Sequence, residues 1–345
     1  MNERLSYTGA GVDIDEADAA KREMARSIDS KDSRVLNKLG AFASLVEGTF
    51  PDIADPILVL KTEEPGSKQK LAFESDRLES LCRDTIHHLL NDVAVMGARP
   101  CYVLDCIVCG RLEKDVVARL VTGMADGARD QGCVLVGGET SIQPGVVPEG
   151  VYVLSATAIG VVDRAAIVDG SSIQPGDVVL AVASNGLHTN GYTLVRALLD
   201  RHPALRDAPI DGDTFFDVIM RPHICYVLAM RRLFDRPVVH GLAHITGGGV
   251  RDNLVRILPA GVDARITLNL FRPQSIFRAI REHGAVEDED MLRTFNMGCG
   301  LVAVCDASAG RAVAAHFEEQ GHPCWQIGEI VTGSGKVSMT GEIPW

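Results

Sequence analysis

Two polar, glycine-bearing loops are the places where this chain could handle phosphate. The first, His244-Ile245-Thr246-Gly247-Gly248-Gly249, runs straight into a helical pattern. Three glycines let backbone N–H groups close on an anion, and the positive end of the following helix adds to the attraction. A tight turn capping a helix would explain the glycines alone; His244 and Thr246 add two hydrogen-bonding side chains at the mouth and favour a phosphate site. The second loop, Ser184-Asn185-Gly186-Leu187-His188-Thr189-Asn190-Gly191-Tyr192, carries more polar side chains among its glycines than reversing a chain requires. His188 could serve there as acid, base or phosphate ligand near neutral pH.

Carboxylates form the second group. Asp84, His88 and Asp92 recur at i, i+4 and i+8 of a helical pattern, so they stay near one face and could approach a single cation. Asp105 interrupts an apolar strand, where an unpaired carboxylate is costly to bury, and Glu139 follows Gly137-Gly138. Such placements suit Mg2+ shared with substrate phosphates; on spacing alone, a solvated helix face plus one hydrogen-bonded buried Asp is the alternative. Cys101, Cys106 and Cys109, with Cys133 as a conceivable fourth, match an iron–sulfur spacing. The residues between them read as a buried strand rather than a wrapping loop, so small apolar side chains are the better account of these thiols. G-x-x-x-x-G-K-[ST] is absent and no strand leads into G-x-G-x-x-G, so any nucleotide is bound by another solution.

Alternating strands and helices must hold these groups. Residues 57–60 read as a strand, 78–96 as a helix and 101–109 as a strand. Residues 113–129 form a helical pattern with Val117, Leu120, Val121, Met124 and Ala128 on one face. A strand at 133–136 enters a turn at Gly137-Gly138, and 152–162 is β-rich. After Ala165 a turn signal, Gln174-Pro175-Gly176-Asp177, precedes a strand at 178–183. Helices at 191–199, 249–258, 273–282 and 309–320 and strands at 264–268 and 300–305 follow. The predicted class is α/β (α+β) with two domains, 1–165 and 166–345.

The 345 residues are 46% apolar but only 5% aromatic, so the core must be mostly aliphatic. A net charge of −12 disfavours nucleic acid and anionic membranes as partners, although a few basic groups and a metal ion can reverse the field inside one pocket. The polar first residues do not read as a signal peptide, and no apolar run approaches a membrane span, so a cytoplasmic location is expected. Nine scattered cysteines do not suggest structural disulfides.

Taken in order, Ala10-Gly11-Val12-Asp13-Ile14-Asp15, Asn91-Asp92 with Gly97-Ala98-Arg99-Pro100, Val136-Gly137-Gly138-Glu139-Thr140, the His188 loop from Gly186 to Tyr192, the His244 loop and Arg293-Thr294-Phe295-Asn296-Met297-Gly298 form a set. This set resembles the aminoimidazole ribonucleotide (AIR) synthetase, or phosphoribosylformylglycinamidine cyclo-ligase, family from residue 7 to about residue 330. The resemblance implies a homodimer built on the N-terminal sheets, a C-terminal α/β domain, and ATP and a ribonucleotide substrate in a cleft between the domains. It implies ATP-dependent closure of an imidazole ring in purine biosynthesis, through phosphorylation of a formyl oxygen and attack by an amidine nitrogen. Carried over residue by residue, Asp92 and Glu139, supported by Asp84, Asp105 and Glu63, are implied as Mg2+ or ATP-phosphate residues. His188, Asn190 and Lys68 are implied as catalytic groups, and Thr62, His244, Thr246, Gly247, Gly248 and Gly249 as substrate or phosphate contacts.

One loop departs from the family pattern. Where the family reads T-D-G-V-G-T-K, this chain has Thr62-Glu63-Glu64-Pro65-Gly66-Ser67-Lys68. The longer Glu63 moves its carboxylate by about one C–C bond, ~1.5 Å, and Pro65 removes a backbone N–H. Three readings stay open: a working cyclo-ligase with a rebuilt metal loop, another ATP-using enzyme of the superfamily, and a nucleotide-binding paralogue without turnover. Among the second group, selenophosphate synthetase expects a reactive N-terminal Cys and the hydrogenase-maturation dehydratase a C-terminal Cys. Here the first Cys is Cys82 and the chain ends Glu342-Ile343-Pro344-Trp345.

Overall fold

The computed structural model describes residues 32–37, 42–234 and 238–345; the Ala10 to Asp15 motif lies outside them. Period-2 patterns in the first half pair into a four-stranded sheet of order β1-β4-β2-β3. Its strands are β1 (Pro56–Glu63), β2 (Arg99–Cys109), β3 (Val134–Ile142) and β4 (Tyr152–Asp163). β2 and β3 are parallel and the other pairs antiparallel. After the short helix α1 (Lys68–Glu74) come α2 (Leu78–Ala94) and α3 (Lys114–Asp130). Leu81, Ile86, Leu89 and Val93 of α2 and Val117, Leu120 and Met124 of α3 join Val103 and Ile107 of β2 in the main core.

The described residues cover the opposite face of this sheet only in part. Cys101, Tyr102, Val136 and Val161 form a small second core with Val35, Val46, Phe50 and Ile53. On β1, Leu58 and Leu60 remain 56% and 67% exposed.

The second half builds a six-stranded sheet of order β12-β9-β11-β5-β10-β8. Its strands are β5 (Val178–Ala183), β8 (Val239–His244), β9 (Val262–Thr267), β10 (Cys299–Cys305), β11 (Cys324–Thr332) and β12 (Val337–Thr340), and β6 (Pro209–Ile210) and β7 (Asp213–Thr214) form a separate hairpin. Only the β12–β9 pairing of the large sheet is parallel. The helices are α4 (Tyr192–Arg201), α5 (Phe215–Ile219), α6 (Val227–Arg231), α7 (Gly249–Leu254), α8 (Ser275–Gly284), α9 (Asp288–Thr294) and α10 (Gly310–Glu319).

Two expectations need correction. Gly137-Gly138 is not a turn: β3 runs through it, with Gly137 opposite Leu104 and Gly138 opposite Asp105. A Cβ on Gly138 would lie 1.7 Å from Asp105 Oδ1, so glycine is there to admit that carboxylate. The helix expected over 249–258 stops at Leu254 and continues only as a single tight turn, Val255–Ile257. All nine cysteines are free, and no helix among the described residues is long and apolar enough to cross a membrane.

Candidate active site

α2 is amphipathic in an unusual sense: its second face is polar yet buried, and it meets the C-terminal half. Asp84, His87, His88, Asn91 and Asp92 share this face by helical spacing. Asp84 Oδ1 accepts from the His223 backbone N–H at 2.8 Å, and Asp84 Oδ2 lies 2.7 Å from Lys68 Nζ. Lys68 also donates to the carbonyls of Arg221 at 2.8 Å and His188 at 3.3 Å. His87 Nδ1 meets the His223 carbonyl, while Asn91 donates to the Ile224 carbonyl and accepts from the Tyr226 N–H, both at 2.8 Å. Residues 221–226 are thereby strapped along α2, and their backbone polar groups are satisfied by side chains more than 130 residues away in sequence.

Lys68 and Asp84 are both 0% exposed. Burial pushes the lysine down and the carboxyl up, each opposed by the other's charge. Lys68 and Asp84, expected as a catalytic group and a metal ligand, are paired with each other here. The lysine's protons and the carboxylate's oxygens are committed to joining the two halves, and neither group faces an accessible surface.

Beside this strap four histidines converge. His88 comes from α2, His188 from the loop after β5, His223 from the strap and His244 from the end of β8. His223 Nε2 lies 2.9 Å from His244 Nε2, and His244 Nδ1 is 2.7 Å from Asp92 Oδ1. Thr189 Oγ1 bridges His88 Nδ1 at 3.1 Å and His223 Nδ1 at 3.3 Å. His188 stacks on His223 with ring centroids 3.9 Å apart.

His188 is buried, 1% exposed, in a left-handed conformation with φ +60°. Gly300 of β10 makes room for it, since a Cβ there would lie 2.7 Å from His188 Cε1. Neither ring nitrogen of His188 has a hydrogen-bond partner among the described residues. Burial, reinforced by the neighbouring imidazoles, holds His188 and His223 far below the usual histidine range and lowers His88 to about 4.

The carboxylates divide between the faces of the first sheet. Glu63 pairs across β4 with Ala156, Ala156 with Asp105, and Asp105 with Gly138, so Glu63 and Asp105 lie in one row on the helix-covered face. Glu139 is one residue further along β3 and exposed, and side-chain alternation places it on the other face. Thr62 shares that outer face and bonds Thr157 Oγ1 at 2.8 Å. Lys61 sits between Glu63 Oε2 at 3.0 Å and Asp92 Oδ2 at 2.9 Å. Burial opposes ionisation of Asp92, but its bond to His244 and the nearby positive charges win and hold its carboxyl well below the usual range. Asp105 is pushed up to about 7 by burial and by the charge of Glu139, against backbone hydrogen bonding, and makes no ion pair among the described residues.

The two glycine loops face each other. Gly247 lies beside Asn190, with an added Cβ 3.4 Å from Asn190 Oδ1, and Asn190 Nδ2 is a buried donor without a partner among the described residues. Thr246 Oγ1 donates to Asn253 Oδ1 at 3.2 Å, and Asn253 Nδ2 donates to the carbonyls of Gly247 at 3.1 Å and Gly249 at 2.8 Å. Thr246 and Gly249 are thus engaged in the loop's own geometry, and a Cβ on Gly249 would strike the Leu292 carbonyl. Asn296, from the Arg293 to Gly298 motif, accepts from Ser184 Oγ and donates to the Gly186 carbonyl, which fixes the root of the His188 loop.

Sequence reasoning missed His223, Lys61 and Asn253. His223 sits in Arg-Pro-His-Ile-Cys-Tyr, which has no periodicity or motif. Lys61 could have been noted as the residue two before Glu63, on the same strand face.

Two sheets of this topology, with α2 and its strap between them, place the molecule in a class of two-domain α/β proteins. The chain belongs to the AIR synthase related proteins: residues 52–162 match the family's N-terminal domain and residues 174–340 its C-terminal domain. It is 42% identical over 340 residues to the phosphoribosylformylglycinamidine cyclo-ligase of Bordetella pertussis, covering 97% of each chain. It is 39% identical over 341 residues to the protein of the same name from Methylobacillus flagellatus, covering 96% of each. Among solved structures, thiamine-monophosphate kinase from Stenotrophomonas maltophilia K279a shares the fold, with a TM-score of 0.70 and 21% identity over 94% of this chain and 96% of that one. Escherichia coli HypE, a hydrogenase maturation protein, gives 0.68 and 18% over 94% of each.

Proposed function

We propose that this chain closes the imidazole ring of formylglycinamidine ribonucleotide with consumption of ATP. The observation that carries the reading is near-full-length similarity, at about 40% identity, to proteins named for that reaction. An amide carbonyl is a poor electrophile, because resonance feeds nitrogen density into it. Moving the γ-phosphoryl of ATP to the formyl oxygen gives an imino-phosphate. Attack by the amidine nitrogen on that carbon forms the ring bond, the C–O bond breaks, phosphate departs and one proton is lost. The protein's work in such a sequence is mainly positioning and charge neutralisation.

The residues present fit Mg2+. Glu63, Asp92 and Asp105 offer hard oxygen donors, and Asp105 is a buried carboxyl without a basic partner among the described residues. When bound with ATP, the ion would neutralise phosphate charge. Lys61 can move its ammonium from the two carboxylates to a phosphoryl oxygen. The unpaired Asn190 Nδ2, beside Gly247, fits an anionic oxygen of substrate or ATP. Glu139 and Thr62, on the open sheet face, would meet substrate there. His188, buried and held neutral, is assigned to holding the loop rather than to proton transfer. A homodimer through this face would cover Leu58 and Leu60.

A non-turning nucleotide-binding paralogue is favoured by one feature only, the Glu63 carboxylate tied to Lys61 in a loop stiffened by Pro65. ATP hydrolysis that depends on formylglycinamidine ribonucleotide supports the ring-closing reading. ATP binding by the folded chain without such hydrolysis supports the paralogue.

A further inference from the structure

Three imidazoles at the junction of the halves are disposed as metal ligands. One ring nitrogen from each of His188, His223 and His244 lies within 4.8 Å of the others, and all three residues are buried. A hydrogen-bonded histidine chain would use the ring nitrogens it brings together, yet His188 uses neither of its own. His223 and His244 turn Nε2 towards Nε2 at 2.9 Å. Two nitrogens on one tetrahedral ion, at bonds of about 2.0–2.1 Å, stand ~3.3 Å apart, so an ion enters when His223 and His244 part slightly and His188 rotates out of its stack on His223, where the ring centroids are 3.9 Å apart and the planes 23° from parallel.

The second nitrogens of His223 and His244 are already oriented. A liganding imidazole donates its other N–H to a carboxylate or another oxygen, which fixes its tautomer. His244 Nδ1 meets Asp92 Oδ1 at 2.7 Å and His223 Nδ1 meets Thr189 Oγ1 at 3.3 Å. Burial keeps His188 and His223 neutral, the form that binds metal. Cys225, on the same strap, is pushed up to about 12 by burial and offers no thiolate.

We propose that His188, His223 and His244 form a site for one divalent transition-metal ion of the zinc class, with His244 oriented by Asp92 and His223 by Thr189. The ligands come from the C-terminal half and the orienting carboxylate from α2, so an ion there would tie the two halves together. An imidazole set suits zinc, cobalt, nickel or copper and is a poor match for Mg2+. The site goes beyond the ring-closing reading and does not depend on it.

The test is a cobalt(II) titration of the full, metal-stripped chain without nucleotide, followed by visible absorption. The expected result is one equivalent bound with the intense bands of a four- or five-coordinate nitrogen site, no thiolate charge-transfer band, and loss of that signal in His223→Ala. Asp92→Asn should weaken cobalt affinity ~10–100-fold, as for other second-layer partners. X-ray absorption of the zinc-loaded wild-type chain supplies a readout independent of any variant's folding, and three imidazole nitrogens in the shell are expected. No binding to the wild type, binding unchanged in a folded His223→Ala, or sulfur in the shell would overturn the assignment. Substrate-dependent ATP hydrolysis with Mg2+ is scored separately, so a failed titration and a failed ring closure are distinguishable.

Discussion

Replacing Lys68 by Met should destabilise the protein far more than it slows any reaction per folded molecule. Lys68 Nζ is sealed from water, 2.7 Å from an equally sealed Asp84, and it holds two carbonyls of the opposing half. The variant leaves a buried carboxylate facing only the His223 N–H. Breaking a buried pair from one side costs ~3–5 kcal/mol, a large part of a typical stability of ~5–15 kcal/mol. Removing both charges with apolar residues of similar size is often close to neutral. Lys68→Met combined with Asp84→Leu should therefore recover at least half of the loss. Urea unfolding of the wild type, both single variants and the double variant measures the coupling. A Lys68→Met loss under about 1 kcal/mol, or strict additivity in the double variant, would refute the strap's electrostatic account. Normal stability with a hundredfold fall in turnover would return Lys68 to the reaction.

Three further outcomes are expected. Without metal, stability should fall as pH drops from about 6.5 towards 4. Folded His88 titrates only near 4, and burial holds His188 and His223 well below the usual histidine range, so these three sites bind up to three more protons in the unfolded chain. Asp84, raised to about 6, and Asp105, raised to about 7, keep up to two protons in the folded state that the unfolded chain has lost, so the net slope is about 1.4 kcal/mol per pH unit, and a Tm unchanged between pH 7.5 and 5 would contradict it. Asn190→Ala should lower kcat/KM ~10–100-fold, the range for one hydrogen bond to a charged group, with little change in Tm; unchanged kinetics would remove Asn190 from the phosphate site. Leu60→Arg on the open face of β1 should shift sedimentation from dimer to monomer at micromolar concentration, whereas an unchanged sedimentation profile would place any self-association elsewhere.

What was legible in the sequence follows from how local each signal is. β5 and α3 were readable because a continuous apolar run and a strong apolar stripe state their own structure. β8 was not, since His240, Gly241 and His244 interrupt its pattern; His240 is explained only by Asp177, 63 residues away and 2.7 Å distant. The spacing of Asp84, His88 and Asp92 correctly marked one face of α2. Spacing fixes which residues share a face but not what meets it, and here it meets Lys68, a backbone strap and His244. Gly137-Gly138 was misread because glycine serves close approach as well as turning. Thr62 and Glu139 lie on a different sheet face from Glu63 and Asp105, a division that depends on strand pairing and register.

With its family fold and altered Glu63-Glu64-Pro65 loop, the chain is expected to close the ring. The direct measurement is product stoichiometry with formylglycinamidine ribonucleotide, ATP and Mg2+. Equal amounts of ADP, phosphate and aminoimidazole ribonucleotide, with none formed when the ribonucleotide is left out, are predicted. ATP turnover independent of the ribonucleotide, or a folded and ATP-bound chain that makes no imidazole, would contradict the account.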